Sequence, residues 1–141
     1  MTDECIAAYH ALSAYTMSLG DDAFIHQHVV DAFGAQSATP DGRPIRLWFS
    51  LAGLYLHLER GCTGREVQRA HTRMANARKA YPALPLPEAR GAITAIDVMR
   101  APPGPERDAA ITAWCASVWH AFRGARPAVI AMLDALRIAS A

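Results

Sequence analysis

The chain has 141 residues, 52% of them hydrophobic and 19% charged, which suits one folded domain spanning 1–141 and argues against intrinsic disorder. A net charge of +1 gives no electrostatic reason to expect a nucleic-acid partner, and no apolar run reaches the roughly 18 residues of a membrane span. The acidic start "MTDEC" lacks the basic and apolar regions of a signal peptide, which leaves the cytoplasm as the expected location.

Helix signals dominate in chain order. The first helix is expected from about Asp3 to Leu19, capped by Thr2 or Asp3 and stopped by Gly20. A second should start at Asp21 or Asp22 and reach about Gln36, so a very short turn would make the two antiparallel neighbours. "SATPDGRP" reads as a loop, and Pro44 starts a third helix running to Arg60, with Gly61 after it. Thr63 caps a fourth that ends before Pro82. The proline-rich stretch 81–93 is expected to be irregular and to lie across the surface. Thr94 caps a short helix, "PPGP" breaks it, and two more follow over about Glu106–Phe122 and Pro127–Ile138. The predicted fold is all-α, an antiparallel helical bundle of four longer helices with shorter peripheral ones.

The histidines are the main chemical candidates. "FIHQHVVDAF" holds His26 and His28, which on a helix point about 200° apart and cannot grip one ion. Asp31 follows His28 by one turn. Either the carboxylate orients a functional histidine, or the two form a surface pair at the helix edge. His10 shares the stripe Ile6, Ser13, Met17, and His71 neighbours Val67, Ala70 and Met74, so both are expected to look inward. His57 belongs to the one polar strip of the third helix, with Arg46, Ser50, Gly53 and Arg60. That strip either faces water or lines a polar pocket. His120 is expected to be exposed.

A metal site would have to be assembled across helices, from His10, His26, His57 and His71, and would suit a divalent transition metal. The wider set for a ligand pocket is His26, Asp31, Gln36, His57 and Arg60. The odd cysteine count (Cys5, Cys62, Cys115), with no CxxC, argues against a disulfide framework or zinc ribbon. No phosphate-binding glycine loop, HExxH or GxSxG is present. Arg65, Arg69 and Arg73 make one basic ridge, read as a solvated face or an anionic-partner site.

The stretches "FIHQHVVDAFGAQ", "LYLHLERG", "GAITAIDVMRAP" and "WCASVW" resemble a family of small bacterial helical proteins classed as a domain of unknown function, over about Cys5 to Phe122. Members often carry a Cys-containing N-terminal extension absent here. In that family a histidine, an aspartate and a glutamine match His26, Asp31 and Gln36, and the His28 position is often apolar, so the resemblance implies that His26, rather than the His26–His28 pair, is the position to watch. It implies no activity. Two functions follow as expectations: a ligand- or metal-binding domain with a His-lined polar pocket, or a non-catalytic interaction module such as a homodimer.

Overall fold

The computed structural model describes residues 1–138, and the fold is all-α. Helix α1 (Asp3–Ser18) is capped by the Thr2 hydroxyl, which accepts from the Cys5 amide. Helix α2 covers His26–Gln36 and α3 covers Pro44–Arg60. Proline opens α3, where its missing N–H costs nothing, and Gly61 ends it at φ 71°. Helix α4 (Gly64–Asn76) begins with a reciprocal capping box between Thr63 and Glu66. Helix α5 (Ala95–Arg100) repeats the device with Thr94 and Asp97. Helix α6 (Pro105–Ala121), a 3₁₀ turn and α7 (Arg126–Ala135) complete the described chain.

Three expected boundaries move. Helix α2 starts at His26, several residues later than expected, because Phe24 adopts φ 54° and the Asp21 carboxylate accepts from the Ile25 amide. The connection from α1 is therefore a real loop. It docks on the start of α4, where the Arg65 amide donates to the Ala23 carbonyl and the Arg65 guanidinium lies 4.6 Å from the Phe24 ring centre. Helices α4 and α7 stop early because Arg78 and Arg137 take left-handed conformations, at φ 52° and 55°. The expected split into four long and several peripheral helices also does not carry over: α1, α2, α3, α4 and α6 each have 11 residues or more.

Helix α3 is central. It packs against α2, α4, α6 and α7, and buries Leu47, Trp48, Leu51, Leu54 and Leu56. No helix or strand forms between Ala77 and Thr94, as the prolines imply, yet this segment is tied down. The Trp48 indole donates to the Pro82 carbonyl at 2.8 Å, and the Arg90 guanidinium donates to the Ala38 carbonyl at 2.8 Å.

The polar strip of α3 turns inward against α2. The Gly53 α-carbon meets the Asp31 carboxyl, Gly34 of α2 meets the Ser50 hydroxyl, and His57 meets His28. Successive α2 positions therefore pair with α3 positions in reverse order, so the two helices run antiparallel at close range. A side chain at either glycine would occupy space already filled. Gly53→Ala should cost about 1–3 kcal/mol through overpacking. Gly124→Ala, where the added carbon meets nothing within 4 Å, should be nearly neutral. Chemical denaturation of the two variants checks this, and equal stabilities would contradict the close-packed seam.

Candidate functional site

The α2–α3 seam concentrates polar groups that the fold leaves incompletely satisfied. Asp31 is 2% exposed. Its Oδ1 accepts from the Gln27 amide at 3.1 Å, while its Oδ2 is buried without a partner. Burial pushes the carboxyl well above the usual range, and the Gln27 bond only partly offsets this. One turn away, the His28 and His57 rings stack with centroids 3.5 Å apart and planes 14° from parallel. His28 Nδ1 and His57 Nε2 are both buried without partners. Burial lowers both imidazoles. His28 falls to about 3, with neighbouring His57 lowering it further and Asp21 acting weakly the other way. Both rings are thus neutral at pH 7.

Two clefts open onto this seam. The larger, of about 990 Å³, lies between α2, α3, the 37–43 loop and the 83–86 segment. Its walls are mainly apolar, with Phe33, Leu47, Phe49 and Leu84, and Phe33 is held by stacking on Tyr9 at 3.8 Å. Gln27, Asp31 and Ser50 supply its buried polar groups, and Arg43 and Arg46 stand exposed along it. The smaller cleft, of about 590 Å³, includes His28, His57, Cys62 and Thr63, with Asp21 and Asp108 also lining it.

The sequence candidates are distributed unevenly over this geometry. Asp31 and His28 are not a surface pair: both are buried, and the Asp31 carboxyl turns to Gln27. His57 lies in the seam, so the polar strip faces the interior along Ser50 and Gly53, with Arg46 and Arg60 exposed at its two ends. His26 is half-buried, and its Nδ1 sits 2.8 Å from the Thr16 hydroxyl, which ties α2 to α1. Gln36 points inward and acts as a strut. Its amide accepts from the Trp114 indole at 3.0 Å and donates to the Arg90 and Ile93 carbonyls. Arg60 lines neither cleft.

The four-histidine metal set does not assemble. His10 is exposed, because α1 buries the side bearing Leu12 and Thr16 and leaves Met17 57% exposed. The His71 Nε2 is 2.7 Å from the Phe49 carbonyl oxygen. Among the described residues no three His, Cys, Asp or Glu side chains are placed to hold a metal ion. The stacked pair does not substitute for such a set. Ring nitrogens bind metals in the ring plane at about 2.0–2.1 Å, and nearly parallel planes do not converge on one ion.

His120 is exposed and Cys115 is core, its thiol pushed up by burial and by nearby Asp31. The basic ridge is partly structural: Arg73 donates to the carbonyls of Leu136 and Arg137 at the end of α7. Gln27 escaped notice in the sequence. The signal that could have found it was the pair of mid-helix glycines, which mark close backbone approach and hence a position where α2 side chains must be accommodated.

The stacked imidazoles carry a pH signature. His28 has a folded pKa of about 3 against 6.5 when free, so unfolding takes up a proton as pH falls. The contribution of the neutral stack is whole above about pH 6.5 and declines as pH drops toward 3. His28→Phe keeps a ring on His57 and removes this proton. Below pH 6.5 the wild type should lose up to about 1.4 kcal/mol per pH unit relative to the variant. Denaturation between pH 7 and 4.5 checks this, and parallel curves would contradict it.

No curated protein and no solved structure matched the chain. A family model did, across residues 1–123, which takes in α1 to α6 and every residue lining both clefts. The chain belongs to DUF5946, a family of unknown function.

Proposed function

We propose that this protein binds a small molecule in the cleft between α2 and α3. The observation that carries the reading is the Asp31 carboxyl. It is 2% exposed, has one oxygen without a partner, and lines a mainly apolar cleft of about 990 Å³. A buried polar group without a hydrogen bond costs about 1–3 kcal/mol. A ligand that donates to it removes that cost and gains orientation. Apolar walls with a few converging polar groups are the usual composition of small-molecule sites. The volume also falls in the usual range for such sites.

The metal version of the reading has little support, since the seam histidines stack and do not converge. The cleft reading is tested with phenylnaphthylamine, an uncharged dye that brightens in apolar surroundings. The wild type should enhance its emission saturably. Ala83→Trp, an exposed position on the cleft wall, should weaken that binding by at least about tenfold without lowering thermal stability. Unsaturable emission, or binding unchanged by Ala83→Trp, would contradict the proposal.

A further inference from the structure

The cleft has two chemically different ends, and they define a ligand class. Asp31 and Gln27 supply acceptor-rich polarity deep in the seam, beside Gly53. Arg46 precedes Gly53 by two turns of α3, about 10 Å along the axis and on nearly the same bearing. Arg43 and Arg46 are exposed along the same cleft, and their guanidinium groups have no hydrogen-bond or ion-pair partner among the described residues. They also stand at the first turn of α3, where the helix dipole favours an anion. Between these ends the walls are apolar, from Phe33, Leu47, Phe49 and Leu84.

We infer that the ligand is an elongated amphiphile with two heads: an amine-type hydrogen-bond donor at Asp31 and an acid group at Arg43 and Arg46, joined by an apolar body. This rests on the α2–α3 cleft being the binding site. A single-headed acid would leave Asp31 without a donor, and a single-headed amine would leave two guanidinium groups unused. An ammonium that reaches Asp31 from the cleft donates to the unpartnered oxygen and compensates the carboxylate charge. The carboxylate of the other head takes guanidinium N–H bonds, which are shorter and stronger than neutral ones.

Calorimetric titration with three probes of one chain length tests this: ω-aminooctanoate, octanoate and octylamine. The wild type should bind ω-aminooctanoate at least about tenfold more tightly than either single-headed probe. Asp31→Asn should erase its advantage over octanoate. The Arg43→Gln, Arg46→Gln double variant should erase its advantage over octylamine. The wild-type series decides the matter even if a variant fails to fold. Octanoate or octylamine binding as tightly as ω-aminooctanoate overturns the two-headed class. If none of the three binds while phenylnaphthylamine still does, the class is wrong and the cleft reading stands. If the dye also fails, the cleft reading falls.

Discussion

The close approach of α2 and α3 is the constraint on which the rest of the structure depends. Gly34 and Gly53 allow it, each lying against a polar side chain of the opposite helix. Separation by even one methyl group would move the Asp31 carboxyl away from Gly53 and unstack His28 from His57. Glycine inside a helix costs roughly 0.5–1 kcal/mol relative to alanine. That cost is offset here by tight packing around the central helix α3, whose buried leucines and Trp48 anchor the core.

The seam is unusual for what it buries. Core positions in a helical protein normally carry apolar groups, and a buried carboxyl is normally paired. Here three polar side chains of the α2–α3 contact each keep one atom without a partner: Asp31, His28 and His57. Elsewhere among the described residues one such atom remains, the Ser13 hydroxyl of α1, and the Gln36 amide finds three partners. The contrast makes the seam a place where stability has been given up. Such losses are expected where a protein meets its ligand.

Much of the fold was legible in the sequence, and much of the site was not. Thr2, Thr63 and Thr94 announce helix starts because a short hydroxyl side chain can satisfy an orphan amide, and all three do so. Gly61 announces an end for the converse reason. Phe24, Arg78 and Arg137 could not be anticipated, since non-glycine residues enter the left-handed region only when tertiary contacts hold them there. The angular argument correctly separated His26 from His28, which the structure sends to Thr16 and His57 respectively. It did not say which of them was buried. Asp31 looked like a surface partner of His28 because spacing alone cannot reveal a glycine on another helix making room for a carboxyl. His10 misled for a related reason: α1 is alanine-rich on several sides, so its apolar pattern does not define one face.

The central claim is that Asp31 is a buried carboxyl that the fold itself does not compensate. Its titration, followed by carbon NMR of the side-chain carboxyl, measures this directly. The account predicts a midpoint well above the usual aspartate value of about 3.9. An Asp31 midpoint at or below the usual value would contradict it, because it would mean that a buried positive charge or further donors already satisfy the carboxylate.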